Sequence, residues 1–125
     1  MNWTWIEVPV VLAIHDRQIE EHGGLAGTRD LALLEGALAR PRQWAAHAAP
    51  DGFDLAALYA HGIARSHPFL DGNKRTAYVT AMLFLRLHGL GLTAPGTQRV
   101  LVFEALGKGT LTAEALADWL HNHRA

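Results

Sequence analysis

HPFLDGNKRTAYVTAMLFLRLHG, residues 67–89, joins a polar turn to the longest apolar run of the chain. The apolar side chains of this run recur at three- and four-residue spacing: Ala77, Ala81, Phe84 and Leu85. That spacing is typical of an amphipathic helix rather than a strand, and Gly89 offers the left-handed stop at which helices commonly end. The run is too short to span a bilayer. We therefore expect a helix from near Asn73 to Gly89, which should be the most apolar helix and lie centrally in the fold.

The same spacing predicts five more helices, separated by turn residues. They are expected at Pro9 to His22, from after Asp30 to Pro41, from Asp54 to Ser66, from Thr97 to Leu106 and from Thr112 to His123. The side chains expected to face inward include Leu31, Leu34, Leu38, Leu55, Leu58, Ile63, Val100, Phe103, Leu116, Trp119 and Leu120. No two segments alternate as paired strands do, so the expected fold class is all-α, a compact bundle of about six helices.

The stretch from Arg42 to Gly52 shows no stable period and contains Trp44 and Pro50. It is therefore predicted to be a long loop or flap. Loops of this length inside a compact domain are often functional.

Composition limits the possible functions. The 125 residues are about half apolar, which suits one domain covering residues 1–125. A formal net charge of −1 argues against direct nucleic-acid binding and against a membrane-surface protein. The lack of cysteine excludes disulfides, thiolate zinc sites and cysteine nucleophiles, and fits a reducing cytoplasm. The first residues lack the pattern of a secretory signal, so we expect a cytoplasmic protein.

The turn before the central helix combines residues that suit phosphate binding. The first N–H groups of a helix have no intrahelical partner and, with the helix dipole, favour an anion. Lys74 and Arg75 are cations in this first turn, where each is unfavourable by about 0.3 to 1 kcal/mol. A bound phosphate would explain them. Gly72 would allow close approach of the backbone to that anion, and Asn73 can bond either the phosphate or neighbouring backbone.

Two further residues of the turn carry possible catalytic roles. Asp71 would repel phosphate unless a cation lay between them, and Mg²⁺ is commonly held by one or two carboxylates plus substrate phosphates. His67 can act as general base toward a hydroxyl, because its unperturbed pKa lies near neutrality. Phe69 is expected to anchor the loop from beneath. The alternatives are ordinary ones: an Asp-Gly turn pair, a solvated histidine and surface cations with salt-bridge partners.

HPFLDGNKRTA resembles the signature of the Fic superfamily, H-x-F-x-[DE]-G-N-G-R-x-x-R. The matching residues are His67, Phe69, Asp71, Gly72, Asn73 and Arg75. Lys74 replaces the usual glycine and Tyr78 replaces the second arginine, and both departures are similar to the death-on-curing branch, Doc. The likeness extends to IHDRQIEEHGGLAGTRDLALLEGALARP, which ends at Pro41, and to AMLFLRLHG, so it covers nearly the whole chain.

The resemblance implies a Fic fold with a flap at Arg42 to Gly52 and roles for the matching residues. His67 would act on the target hydroxyl, and Asp71 would hold Mg²⁺. Gly72, Asn73, Lys74 and Arg75 would hold the phosphates of ATP. Trp44 in the flap is a further candidate for target contact, and Arg65 is a further candidate for nucleotide or target contact.

Two reactions are open under this resemblance. Most Fic enzymes transfer AMP to a protein hydroxyl, whereas Doc transfers the γ-phosphate of ATP to a threonine of elongation factor Tu and inhibits translation. Lys74 adds bulk and charge where glycine leaves room, and Tyr78 lacks a phosphate contact that an arginine makes, so we favour the kinase. AMP transfer and a catalytically inactive Fic-like binding module are the alternatives.

The resemblance also implies a partner, because Doc is the toxin of a type II toxin-antitoxin system. The internal inhibitory pattern of the superfamily, [ST]-x-x-x-E-[GN], is approached only at Thr110 to Glu114, where Ala115 follows instead of Gly or Asn. We therefore expect a separate antitoxin, similar to the Phd type, with a segment that folds on binding.

Overall fold

A computed structural model describes residues 2–125 and contains six α-helices in this part of the chain. Their bounds are α1 Val8–His22, α2 Leu31–His47, α3 Gly52–Ser66, α4 Asn73–Leu87, α5 Gly96–Lys108 and α6 Ala113–Asn122. Extended pairing in residues 2–125 is limited to two isolated bridges, Thr28 with Phe69 and Leu92 with Arg124. The predicted all-α bundle of about six helices is confirmed.

Helix α3 is the centre of the bundle. It packs against α2, α4, α5 and α6, and ten of its 15 residues are buried. Small residues allow the close approach: a Cβ on Gly62 would lie only 3.1 Å from Ala37 Cβ of α2. Helix α4 is central as predicted, since it packs against α1, α3 and α5 and its four residues predicted to face inward are buried. The prediction that it is the most apolar helix was wrong, because α3 is more apolar.

The predicted loop from Arg42 to Gly52 was wrong over most of its length. Helix α2 continues through Pro41 to His47, and only residues 48–51 are irregular. Proline inside a helix typically costs about 3 kcal/mol. Here Pro41 is buried, and the next turn is held by Arg42, whose guanidinium donates to Glu7 at 2.7 Å and lies over the Trp5 ring. Burial of Pro41 offsets part of this cost, whereas the exposed Arg42–Glu7 pair contributes little.

Smaller corrections concern a cap and two side chains. Helix α3 begins at Gly52 with Asp51 as N-cap, and Asp54 completes a reciprocal capping box instead of capping the helix itself. Leu31 and Val100 were predicted to face inward but are 47% and 61% exposed. Each lies in the first two turns of its helix, where the spacing of apolar residues can be followed in the C-terminal direction only.

The segment of residues 23–30, between α1 and α2, lies against the loop that joins α3 to α4. The Leu70 amide donates to the Gly27 carbonyl at 3.2 Å, and the Arg29 amide donates to the Pro68 carbonyl at 2.7 Å. Glycines with positive φ, three of them in this segment, allow the chain to fold back over the loop. This short antiparallel contact places exposed backbone beside the polar turn.

Candidate active site

Residues 67–72 form a tight loop between the end of α3 and the start of α4. His67 has left-handed backbone, with φ 51°, and its amide donates to the Ile63 carbonyl at 3.3 Å. Arg29 fastens this helix end: its Nε donates to the His67 carbonyl at 2.7 Å and its Nη2 to the Ser66 carbonyl at 2.9 Å. A cation at the carboxyl end of a helix is favourable. A non-glycine residue in this conformation is held by its surroundings, as is common at functional sites.

Aromatic packing supports the loop from beneath. Phe69 is 1% exposed and stacks on the buried His15 ring, with centroids 3.8 Å apart. His15 Nε2 donates to the backbone carbonyl of Asp71 at 2.8 Å. The histidine therefore joins the apolar underside of the loop to its polar rim.

Asn73 clamps the loop from the other end. Its side-chain Oδ1 accepts the Phe69 amide at 3.0 Å, and its Nδ2 donates to the Phe69 carbonyl at 3.0 Å. The same Nδ2 lies 3.5 Å from His67 Nδ1, the long limit of a hydrogen bond. Of the two partners that the sequence allowed for this amide, the structure shows the backbone.

Asp71 is held as an exposed carboxylate. Its Oδ2 accepts the Leu25 amide at 3.2 Å and its Oδ1 accepts the Gly72 amide at 2.9 Å. These two amides hold the pKa of the Asp71 carboxyl below its ordinary value, and the nearby Arg75 acts in the same direction. Gly24 is required beside it, because a Cβ there would lie 2.6 Å from Asp71 Oδ2. The carboxylate is therefore ionised near neutral pH and fixed by two separate segments.

Helix α4 begins without a capping side chain. Its N-cap, Gly72, has φ 73° and offers no side chain to the first-turn amides. Lys74 and Arg75 lie in this turn, and Lys74 Nζ donates to Glu104 of α5 at 2.5 Å. This bond lowers the pKa of the Glu104 carboxyl. The start of α4 thus presents unsatisfied N–H donors and two cations to one side of the bundle.

A cavity of about 800 Å³ opens on this side, between the loop and helices α4 and α5. It is lined by His67, Leu70, Asp71, Gly72, Asn73, Lys74, Arg75, Tyr78, Gly96, Arg99, Val100, Phe103 and Glu104. Tyr78 packs edge-on against Phe103, with centroids 4.9 Å apart. The cavity wall therefore combines this aromatic pair with the charged side chains at the start of α4.

Of the nine sequence-predicted site residues, six line one cavity, Phe69 is buried beneath the loop as predicted, and two lie elsewhere. Arg65 does not line it; its guanidinium lies against Gly109, at the end of α5. Trp44 is 54% exposed on α2 and lines a separate groove between α2, α3 and α6. Trp44 therefore does not lie in a flap over the polar turn.

Several residues of the site were missed by the sequence reasoning. His15, Gly24, Leu25 and Arg29 support the loop from residues that lie at least 37 positions earlier in the chain, and Arg99 and Glu104 come from α5. The sequence signal for the first group was three closely spaced glycines, Gly23, Gly24 and Gly27, since glycine allows close approach of two backbones.

Among residues 2–125, no helix is long and apolar enough to cross a membrane.

Comparison with known proteins places the chain among relatives of one family. The sequence model described as the Fic/DOC family matches residues 5–85. The chain is 35% identical over 112 residues to "Protein kinase doc" of Escherichia phage P1, an alignment that covers 88% of this chain and 87% of that protein. It is 42% identical over 74 residues to "Toxin Doc" of Mycolicibacterium smegmatis, which covers 58% of this chain and 57% of that protein.

Proposed function

This chain belongs to the Fic/DOC family, on its Doc toxin branch, and we propose that it is a protein kinase. The proposed reaction transfers the γ-phosphate of ATP to a serine or threonine hydroxyl of a target protein and thereby inhibits translation. Elongation factor Tu is the proposed target. The printed name of the phage P1 relative, "Protein kinase doc", supports the reaction type.

One observation carries the proposal: a base, a carboxylate and a helix start with two cations line the same cavity. Phosphoryl transfer needs mainly positioning and charge stabilisation rather than covalent chemistry by the protein. The uncapped amides of α4, with Lys74 and Arg75, can hold the transferred phosphate and stabilise the charge that spreads over its oxygens. The aromatic pair Tyr78 and Phe103 offers the nucleoside an apolar surface in the cavity wall.

His67 is the proposed general base. It lines the cavity, and its Nδ1 lies 3.5 Å from the Asn73 amide nitrogen, at the long limit of a hydrogen bond, so this contact does not fix the tautomer. With the ring proton on Nδ1, Nε2 is the nitrogen that can accept the proton of a target hydroxyl. As the hydroxyl oxygen forms a bond to the γ-phosphorus, its proton passes to His67 and the bond to the β-phosphate oxygen breaks, so that ADP leaves. Because the loop fixes the backbone of His67, the imidazole is placed before the target arrives.

Asp71 fits a magnesium ion. Each carboxylate oxygen accepts one backbone amide, so each keeps a lone pair for a cation. A single fixed carboxylate together with substrate phosphates is the usual way in which proteins hold Mg²⁺. When bound, Mg²⁺ would neutralise phosphate charge and so relieve the repulsion between Asp71 and the nucleotide.

Lys74 supports γ-phosphate transfer over AMP transfer. The stem of Lys74 passes close to α5, since a Cβ on Gly107 would lie 3.3 Å from Lys74 Cδ. The side chain therefore fills the space between the start of α4 and the end of α5. A triphosphate that entered in the orientation used for AMP transfer would meet this side chain.

The segment of residues 23–30 is the proposed docking site for the target. It is exposed along its whole length, and Leu25 and Leu70, 66% and 54% exposed, stand beside Asp71 at the rim of the cavity. An extended target segment can add to such exposed backbone. We therefore propose for this segment the target-docking role that had been predicted for residues 42–52.

A separate antitoxin is the proposed regulatory partner, since the chain resembles proteins named as toxins. A Phd-like antitoxin with a segment that folds on binding is the form proposed here. Co-purification of the chain with the product of the adjacent gene, followed by a kinase assay of the complex, tests this part: the complex should be inactive.

The test of the kinase is the mass gained by the target. Purified protein is incubated with ATP, Mg²⁺ and elongation factor Tu, and the target is weighed by intact mass spectrometry. Asp71→Ala is the inactive variant. Asp16→Ala is the matched control, because Asp16 is exposed on α1 and takes no part in the cavity.

The expected result is a gain of one phosphoryl group with wild type and with Asp16→Ala, and none with Asp71→Ala. A gain of one AMP would replace the kinase by AMP transfer. No gain on elongation factor Tu or on any protein of a whole-cell lysate, with nucleotide binding intact, would reduce the chain to a binding module.

A further inference from the structure

Arg99 is a cation in the cavity wall to which the proposed mechanism gives no role. It lies in the first turn of α5 and lines the same cavity as Asp71 and Lys74. It is half-buried, and it makes no ion pair with a carboxylate in residues 2–125. A charge taken partly out of water without a counter-ion is unfavourable. Its position in a cavity therefore indicates an anionic ligand.

The guanidinium is fixed in place by its surroundings. Nε donates to the Ala94 carbonyl at 2.8 Å, Nη2 to the Leu92 carbonyl at 3.3 Å and Nη1 to the Tyr78 hydroxyl at 3.1 Å. A guanidinium has five N–H donors, so one remains on each Nη atom. A group held at three points loses little freedom when it binds a phosphate.

The location of Arg99 relative to Lys74 suits a triphosphate. Lys74 lies near Gly107 and Tyr78 bonds to Arg99, so α4 and α5 run antiparallel along the cavity. Tyr78 is four residues after Lys74, a rise of about 6 Å along the helix. A triphosphate chain can cover that distance.

The start of α5 adds donors at the same place. Its N-cap, Pro95, has no side chain that bonds to the first-turn amides. Gly96 follows and lines the cavity, and no atom lies within 4 Å of the position that a Cβ on it would take. The Gln98 and Arg99 amides donate to the Pro95 carbonyl, which leaves the amides of Gly96 and Thr97 without an intrahelical partner. Gly96 and Arg99 line the same cavity.

We propose that Arg99, with the start of α5, forms a second phosphate subsite, which binds a phosphate of the nucleotide that the start of α4 does not hold. Tyr78 is a positioning residue, since its hydroxyl accepts from Arg99 Nη1 and helps to hold the guanidinium. The inference rests on the proposed function in one respect, that the ligand of the cavity is a nucleoside triphosphate.

Isothermal titration with Mg²⁺ present tests the subsite. ATP, adenosine and inorganic tripolyphosphate are titrated into wild type, Arg99→Gln and Tyr78→Phe. Arg86→Gln is the matched control, because Arg86 is an exposed arginine at the far end of α4. Arg99→Gln should weaken ATP and tripolyphosphate binding about tenfold and binding of adenosine, which has no phosphate, far less. Tyr78→Phe should weaken ATP binding about twofold to threefold.

A second variant and thermal unfolding distinguish phosphate binding by Arg99 from a purely structural role. Arg99→Lys keeps the charge but cannot hold both carbonyls, so it should unfold at a temperature similar to Arg99→Gln and still bind tripolyphosphate more tightly. Equal affinities of the Lys and Gln variants would overturn the subsite. So would equal losses for ATP and adenosine, or failure of wild type to bind ATP and tripolyphosphate.

The proposed subsite and the proposed kinase activity can be overturned independently. Binding of tripolyphosphate that depends on Arg99, without transfer to any protein, would keep the subsite and sink the kinase. Transfer of phosphate to the target with ATP binding unchanged in Arg99→Gln would sink the subsite and keep the kinase.

Discussion

The two central helices begin in opposite ways. At the start of α3, Asp51 Oδ1 accepts the Asp54 amide at 2.9 Å and Asp54 Oδ2 accepts the Asp51 amide at 3.0 Å. His121 of α6 lies 2.7 Å from the other Asp51 oxygen. Burial opposes ionisation of Asp51, but the Asp54 amide and His121 hold the pKa of its carboxyl below its ordinary value. Acidic side chains thus accept the backbone N–H groups at this helix start and interact favourably with the helix dipole.

At the start of α4 the same requirements are unmet. Gly72 provides no capping side chain, and the first turn carries Lys74 and Arg75 in place of acidic residues. Asp71 precedes this turn, but its carboxylate accepts amides of Leu25 and Gly72 instead. A helix start that lacks a capping side chain and carries cations, beside a neighbouring helix that is fully capped, is therefore a candidate ligand site.

Loss of the base at His67 should cause the largest change in activity. His67→Asn is expected to lower the rate of phosphoryl transfer about 10²- to 10⁴-fold, because no other side chain takes the proton. Asparagine tolerates left-handed backbone, so the unfolding temperature should stay near that of wild type. Single-turnover assays with saturating ATP measure the rate, and titration of ATP should give an affinity near the wild-type value.

A His67→Asn protein that transfers phosphate at the wild-type rate would remove His67 from the chemistry. The difference between the two helix starts would then reflect phosphate binding only.

Loss of the acidic cap should affect stability alone. Asp51→Ala removes one half of the capping box and is expected to lower the free energy of unfolding by about 1 kcal/mol, within a range of 0.5 to 2. Urea unfolding followed by circular dichroism measures it. Asp51→Asn is the matched control, since asparagine caps helices nearly as well.

Both Asp51 variants should bind ATP as wild type does, because Asp51 lies outside the cavity. A weaker ATP affinity with unchanged stability would contradict the assignment of the α3 start to structure and the α4 start to binding.

Glu104 should have a smaller effect with the opposite sign. Its carboxylate pairs with Lys74 while both side chains are about two-fifths exposed, so the pair contributes little stability. A carboxylate beside the phosphate site opposes phosphate binding, and Glu104→Gln should therefore raise ATP affinity about twofold to fivefold. Isothermal titration measures this, with Glu114→Gln on the exposed face of α6 as control.

A lower ATP affinity in Glu104→Gln would mean that Glu104 assists binding, for example through a cation. Lys74 would then have to be reassigned from phosphate binding to holding Glu104.

The smallest effect is expected at Trp44. Trp44→Ala should change ATP affinity and the rate at saturating target by no more than about twofold, as exposed substitutions generally do, because Trp44 lines a groove separate from the cavity. Steady-state kinetics at varied target concentration check this. A raised KM for the target alone would restore the target contact predicted from the sequence.

The helices were predictable because their signals are local. Apolar spacing of three and four residues located all six, and the four apolar residues predicted to face inward on α4 are buried, although the buried polar residues of that face, Thr76 and Thr80, were not predicted. One failure was a local rule that packing overrode: Pro41 does not end α2, because the proline is buried within the helix. Propensity is a weak prior when a helix has a partner to pack on.

By itself, the sequence determined the fold class and the contiguous part of the site, residues 67–75, because a turn and the helix after it place neighbouring residues at fixed positions. It could not determine which distant segments meet that turn. Only the tertiary structure brought Leu25 to Asp71 and Arg99 to Tyr78. Such contacts depend on how whole helices pack, which is decided by the summed burial of many side chains rather than by any local pattern.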